Sequence, residues 1–297
     1  MRTSPPISPF LFHGEGETGR GRRRIMLVYQ KLLSIKEEKG AGFLVLLDPD
    51  RLEIEEIVKL ARKSEEGGAD GFLVGSSLLL SSRFDEAIEQ IKSNVGLPVI
   101  IFPGNANQVS KYADAILFLS LISGRNPDLL IGEQVKAAPM IKEFGLEPIP
   151  TGYLIIESGK ATSVQFMSDT QPIPKDKPDI AKAHALAAEY LGMKFVFLEA
   201  GSGAENPVPD TVIREIRDFI SIPIIVGGGI KKPKVAYQKI ENGASFVVIG
   251  NALEKDDSII KEFAKAIHID KKPELAKERI KSSYHMGGSF DPDGPNA

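Results

Sequence analysis

The sequence predicts a single (β/α)8 barrel, and three observations predict it. Eight short apolar runs, rich in β-branched residues, alternate with charged amphipathic stretches. The runs are apolar nearly throughout rather than at every second position, which implies burial on both faces, as in a parallel sheet covered by helices. Glycine stands at the joins EEGGAD, LGMKF and ENGAS, just past a predicted helix, where a left-handed C-cap costs little. Eight strand–helix repeats favour a closed barrel over a doubly wound open sheet.

The elements follow in order. Met26 opens the helix-like stretch LVYQKLLSIKEEKG, so the folded domain is expected to begin there. Strands are predicted at 42–48, 69–75, 97–103, 113–120, 147–156, 194–200, 222–228 and 244–250. Helices are predicted at 52–66, 83–94, 132–144, 179–191, 207–220 and 233–242. Pro98 and Pro223 stand at strand starts, where a missing N–H does least harm. The connection after the third strand, NANQVSKYA, is short and holds a turn or a brief helix. Residues 1–25 mix Pro, Gly, Ser and Arg without periodicity and read as a disordered extension; 26–270 form the catalytic barrel; 271–297 read as a flexible tail.

Composition narrows the function. The chain has 297 residues and no cysteine, which removes disulfides, thiolate zinc sites and Cys nucleophiles together. Its four histidines are scattered, so a His-based metal cluster is not expected. No apolar run approaches the roughly 20 residues needed to span a bilayer, and no secretory segment opens the chain, so a cytoplasmic location is expected. Net charge is −3, of which residues 1–25 contribute +3, leaving −6 on the rest. An acidic body argues against nucleic acid as a partner.

Barrel chemistry sits at the C-terminal strand ends. The first strand ends in LLDPD, where Asp48 is placed to ligate Mg²⁺ and Asp50 to cap the next helix. The second ends in VGSS, whose Ser76 and Ser77 either cap a helix or bring a hydroxyl beside Asp48. The sixth ends in FLEAGSGA. Glu199 is an acid at the end of an otherwise apolar strand, where desolvation raises its pKa and suits it to proton transfer. The small residues after it can close backbone N–H groups around an anion. The seventh ends in VGGG and the eighth in VIGN; these loops must converge, and together they read as a phosphate site. No Lys ends a strand interior, which disfavours a Schiff-base enzyme.

With these residues assembled, the chain resembles the geranylgeranylglyceryl phosphate synthase family, which includes bacterial heptaprenylglyceryl phosphate synthases. LLDPD, VGSS, FLSLISGRNPDLLIGEQVKAAPM, PIPTGYLII, FLEAGSGA, VGGGIK and VIGNALE carry the likeness in order, over roughly residues 26–268. The AGSGA loop resembles the archaeal-type branch, which some bacteria share. The resemblance implies a modified barrel whose third helix is replaced by a loop or strand. It implies prenyl transfer from a polyprenyl diphosphate to the 3-hydroxyl of sn-glycerol 1-phosphate, with Mg²⁺ and release of pyrophosphate. By motif, Asp48 and Ser77 would ligate Mg²⁺; the proton-transfer role read above for Glu199 fits that chemistry as the base for the glycerol hydroxyl. Phe197, Leu198, Glu199, Ala200, Gly201, Ser202, Gly203, Ala204, Gly228, Gly229, Gly250 and Asn251 would bind glycerol phosphate. Phe197 stands where the family usually has Tyr. Phe118, Leu119, Leu121, Ile122, Leu129, Leu130 and Ile131 are candidates for an isoprenoid groove, with Tyr153 near its far end. A homo-oligomer (dimer or hexamer) and transient membrane-surface contact are also implied. Two other readings share the phosphate loops: an isomerase or cyclase of a sugar or indole phosphate, and a non-catalytic phosphate- or lipid-binding barrel.

Overall fold

Eight parallel strands close on themselves in chain order, β1 (Gly42–Leu47), β2 (Gly71–Val74), β3 (Val99–Ile101), β4 (Ala115–Ser120), β5 (Glu147–Ile155), β6 (Phe195–Glu199), β7 (Ile224–Gly227) and β8 (Phe246–Ile249). This is a computed structural model, and it describes residues 27–269; the predicted extension and tail lie outside them. β8 pairs back onto β1, with Gly42 opposite Phe246, so the sheet has no edge. Each observed strand falls inside a predicted one.

Alternation along the strands builds two cores. In β6, Phe195 and Phe197 point into the barrel while Val196 and Leu198 pack outward against the helices. The inward set, with Leu44, Leu73, Ile100, Ile225 and Phe246, fills the interior. Helix α1 (Val28–Lys39) plugs the N-terminal end, adding Leu32 and Ile35 to that interior. The Glu147 carboxylate holds the start of α1, accepting from the Val28 and Tyr29 amides, where a helix favours an anion.

The outer layer comprises α2 (Ile54–Glu66), α3 (Phe84–Asn94), α4 (Glu133–Phe144), α5 (Ser163–Ser168), α6 (Pro178–Tyr190), α7 (Asp210–Arg217), α8 (Pro233–Glu241), α9 (Asn251–Lys255) and α10 (Ile260–Ile267). The three predicted capping glycines, Gly68, Gly192 and Gly243, all take positive φ. The sequence reading missed α5, α9 and α10. The first two are only six and five residues long. α10 was legible: Ile260, Phe263, Ala264 and Ile267 are buried at helical spacing. α4 is entered through a π-helical turn, Asp128–Gly132.

One connection matters most for the site. Between β3 and β4, residues 102–114 form turns and loop with no helix. The barrel wall there lacks its usual cover. No helix among the described residues is long and apolar enough to cross a membrane.

Candidate active site

The inward alternation of β6 puts Glu199 above Phe197 at the mouth of the barrel. Beneath the carboxylate lies an aromatic floor. Phe102 stacks on Phe197, with centroids 5.0 Å apart and planes at 10°, and Tyr153 meets both edge-on. Glu199 is only 6% exposed, and its Oε1 accepts from the Gly201 amide at 2.6 Å. Burial dominates its proton affinity and raises its pKa to about 7, against the smaller downward pull of that amide. The same burial, with the Glu199 charge nearby, pushes the Tyr153 hydroxyl well up.

Glycine after β7 is required here before any ligand is considered. Gly228 has φ +82, and a Cβ on it would come 2.3 Å from Glu199 Oε1 and 2.6 Å from the Gly201 nitrogen. A side chain at this position would displace the acid.

Asp48 follows β1. Its Oδ1 accepts from the Asp50 amide at 3.0 Å and its Oδ2 from Arg51 Nε at 3.1 Å. Desolvation raises its pKa, and the Asp50 amide and Arg51 only partly oppose this. Arg51 also reaches Ser202 Oγ at 3.0 Å, and that hydroxyl donates to Asn251 Oδ1 at 3.1 Å. The loops after β1, β6 and β8 are thereby tied together. Asp50 is not the expected cap: Glu53 caps α2 in a capping box with Glu56, while the Asp50 carboxylate accepts from the Leu80 and Ser81 amides.

A cavity of about 380 Å³ runs through this mouth. Its polar end is lined by Asp48, Ser76, Ser77, Glu199, Ser202, Gly203, Gly228, Gly229, Gly250 and Asn251. From there it passes over the uncovered β3–β4 wall to Val109, Ile116, Ala137 and Ile141. The slot left by the missing helix is thus apolar and continuous with the polar mouth. Of the predicted groove residues, Phe118, Leu119, Leu121 and Leu129 line it; Ile122, Leu130 and Ile131 do not, and Ile131 is exposed. Tyr153 lines the inner end, beside the aromatic floor, rather than the far end.

The structure brings most of the predicted phosphate-side residues together, with exceptions. Leu198, Ala200 and Ala204 turn their side chains into the sheet–helix core. Phe197 lies one layer below the mouth. Gly201 backs onto Thr162 and spends its amide on Glu199. Arg51, Phe102, Val109, Ala137 and Ile141 were missed. Arg51 directly follows a motif already singled out and Ala137 lies inside another; Phe102, Val109 and Ile141 carry no local signal, because only closure of the barrel brings them to the cavity.

Among the described residues, no group of three or more His, Cys, Asp or Glu could hold a metal ion. A cation here must complete its shell with hydroxyl, water or ligand oxygens. Mg²⁺ accepts that arrangement, since it takes hard oxygen donors and keeps several waters. The Asp48 carboxylate and the Ser77 hydroxyl, which line the same polar mouth, are donors of that kind.

Comparison with known proteins agrees with this geometry. The family model described as the PcrB family matches residues 33–267. The chain belongs to the PcrB family. Within it, the geranylgeranylglyceryl phosphate synthase of Chitinophaga pinensis is 46% identical over 241 residues, 81% of this chain and 96% of that relative. The enzyme of the same name from Pyrococcus horikoshii is 45% identical over 231 residues, 77% of this chain and 90% of its own length. The crystal structure of (S)-3-O-geranylgeranylglyceryl phosphate synthase from Thermoplasma acidophilum, in complex with sn-glycerol-1-phosphate, superposes with a TM-score of 0.78 at 34% identity. That match covers 82% of this chain and 99% of the other. The PcrB-family chain described here is an enzyme of the prenyltransferase kind that these relatives represent.

Proposed function

We propose that the protein forms the ether between a polyprenyl diphosphate and the 3-hydroxyl of sn-glycerol 1-phosphate, with Mg²⁺. The observation that carries this reading is the two-ended cavity: a polar mouth rich in glycine and oxygen donors, continuous with an apolar slot. A phosphorylated alcohol suits the first and an isoprenoid chain the second. The prenyltransferase relatives and the glycerol-phosphate complex of a structural neighbour support it.

In the proposed reaction the glycerol 3-oxygen attacks C1 of the prenyl chain, the C1–O bond to diphosphate breaks, and pyrophosphate leaves with both electrons. Glu199 accepts the hydroxyl proton. Its pKa of about 7 keeps a usable base population at neutral pH while making the carboxylate a strong enough base to matter. Ser202, Gly203, Gly228, Gly229, Gly250 and Asn251 hold the phosphate end and so fix which hydroxyl faces Glu199. Backbone amides of glycine loops near a helix start suit a phosphate. Phe118, Leu119, Leu129, Ala137 and Ile141 hold the chain and exclude water. Asp48 and Ser77 would hold Mg²⁺, which when bound supplies charge neutralisation for the departing pyrophosphate.

The test uses radiolabelled sn-glycerol 1-phosphate with geranylgeranyl or heptaprenyl diphosphate, with and without Mg²⁺. Labelled ether lipid that needs Mg²⁺ is the expected result. Absence of product with either chain sinks the reading, and Mg²⁺-independent product sinks its metal clause alone.

A further inference from the structure

Arg51 stands three residues past Asp48 and joins three elements at the mouth. Its Nε contacts Asp48 Oδ2 at 3.1 Å, its Nη2 contacts Ser202 Oγ at 3.0 Å, and its Nη1 contacts Glu254 Oε2 at 3.5 Å. Asp48 belongs to the half of the mouth assigned to metal and diphosphate; Ser202 belongs to the half assigned to glycerol phosphate. The Arg51 side chain is 39% exposed, whereas Asp48 and Glu254 are 15% and 13% exposed. The guanidinium therefore lies over two sunken carboxylates with open space on its outer side.

Exposed ion pairs contribute little to stability. Convergence of one guanidinium on both halves of the mouth has a different use. Its planar fork of donors suits carboxylate and phosphate oxygens alike. It also engages Oδ2 of Asp48, the carboxylate that would hold a metal ion.

We propose that Arg51 is a diphosphate-binding residue that exchanges partners during substrate loading. In the free enzyme its guanidinium serves as the cation of Asp48. When the prenyl diphosphate arrives with its metal, Asp48 passes to the metal and Arg51 passes to the diphosphate oxygens. This rests on the prenyl-transfer reading above. Arg51 and metal then compete for Asp48 in the absence of diphosphate and cooperate in its presence, which is a linkage measurable without turnover.

The experiment compares the full-length wild type with Arg51→Met and Arg51→Lys. Mn²⁺ binding without substrate is read by electron paramagnetic resonance, and inorganic pyrophosphate binding in saturating Mn²⁺ by calorimetry. Removing a charge-assisted contact should weaken pyrophosphate binding by about tenfold or more in Arg51→Met and raise the KM for prenyl diphosphate in step. Mn²⁺ alone should bind several-fold tighter to that variant, and the KM for glycerol 1-phosphate should stay within about threefold. Arg51→Lys, which keeps the charge but not the fork, should fall between.

A purely structural Arg51 predicts a lower melting temperature, weaker binding of both substrates and unchanged Mn²⁺ affinity; that pattern overturns the proposal. Unchanged pyrophosphate affinity overturns it as well. Failure of the wild type to bind Mn²⁺ overturns it together with the metal clause. A wild type that binds Mn²⁺ and pyrophosphate but makes no ether lipid sinks the reaction instead, and the partner exchange is still read in the binding data.

Discussion

Two buried carboxylates stand at opposite ends of this barrel, and their surroundings treat them in opposite ways. Asp70, just before β2 at the N-terminal end, is 2% exposed and accepts from Lys39 Nζ at 2.5 Å, His268 Nε2 at 2.8 Å and the Phe43 amide at 2.8 Å. Desolvation is the largest single influence and pushes its pKa up, yet the His268, Lys39 and Phe43 bonds together outweigh it, and the pKa ends lower than usual. Glu199, at the C-terminal end, is similarly buried but faces aromatic rings, with the Gly201 amide as its hydrogen bond. Its pKa is raised to about 7. One carboxylate staples α1, β1 and the chain after α10 into a closed base. The other is left short of partners where a substrate would supply one. Stability and reactivity are built from the same side-chain chemistry by changing only the number of donors.

The largest effect expected from breaking this contrast is at Glu199. Replacing it with Gln keeps shape and the Gly201 contact but removes the base. General-base catalysis typically accounts for about 10²–10⁴-fold, so kcat for ether formation should fall by that much while both KM values move only a few-fold. Steady-state kinetics decides it; a loss below about tenfold would remove Glu199 from the chemistry.

At the other end, Asp70→Asn should leave activity per folded molecule unchanged and cost stability. Stripping one member of a buried pair typically costs about 3–5 kcal/mol. Lys39 and His268 remain partly exposed, at 40% and 21%, and can recover some solvation. A loss of about 2–3 kcal/mol in urea unfolding is therefore expected. Because the folded pKa of Asp70 is lowered, its contribution is present above the unfolded carboxylate pKa and is lost as pH falls through the folded one. If the two ends are as different as described, Asp70→Asn should also flatten the acid side of the stability profile.

Glu199 works in the reverse sense. Its folded pKa lies above its unfolded value of 4.5, so the folded protein binds the proton more tightly, and stability falls as pH rises from about 4.5 to about 7. Glu199→Gln should accordingly be more stable than wild type at pH 8.5 and about 1 kcal/mol less stable at pH 4, where the wild-type side chain is neutral too and only the buried amide's cost is left. The shift corresponds to an upper figure of about 3 kcal/mol, and the buried amide reduces the expected gain to about 2 kcal/mol. Activity of the wild type should rise through the same pH range as the base is uncovered. Equal stabilities of variant and wild type at pH 8.5 would mean that Glu199 is better solvated than its 6% exposure implies.

This contrast was half legible in the sequence. Glu199 stood out because an acid ends a strand otherwise made of Phe195, Val196, Phe197 and Leu198. The eight strands stood out because residues buried on both faces leave almost no polar interruption. Asp70 did not, since it stands at the polar start of the second predicted strand, beside a glycine join, and its partners lie 31 and 198 residues away. The apolar slot was foreseen only as a list of apolar residues. Ile131 and Leu129 look alike in sequence, yet one faces solvent and the other the cavity, because two positions apart on a helical turn they point to nearly opposite sides. Asp50 was read as a cap because Asp is common there; Glu53 won the place through its reciprocal pair with Glu56.

The smallest effect concerns Phe197, which forms the floor under Glu199 at a position where the family resemblance implies Tyr. Its ring is fully buried, stacked on Phe102 and edge-on to Tyr153, and the far end of the ring lies against Gly227. A hydroxyl added at that end in Phe197→Tyr would emerge beside Gly227, one layer below the mouth. One neutral hydrogen bond contributes about 1 kcal/mol net, so the KM for glycerol 1-phosphate should fall by no more than about fivefold, with kcat and the pH midpoint near 7 unchanged. A shift of the midpoint would show that the hydroxyl bonds Glu199 instead. That outcome would sharpen the comparison with Asp70, because it would mean that a single added donor moves the reactive carboxylate toward the stapled one.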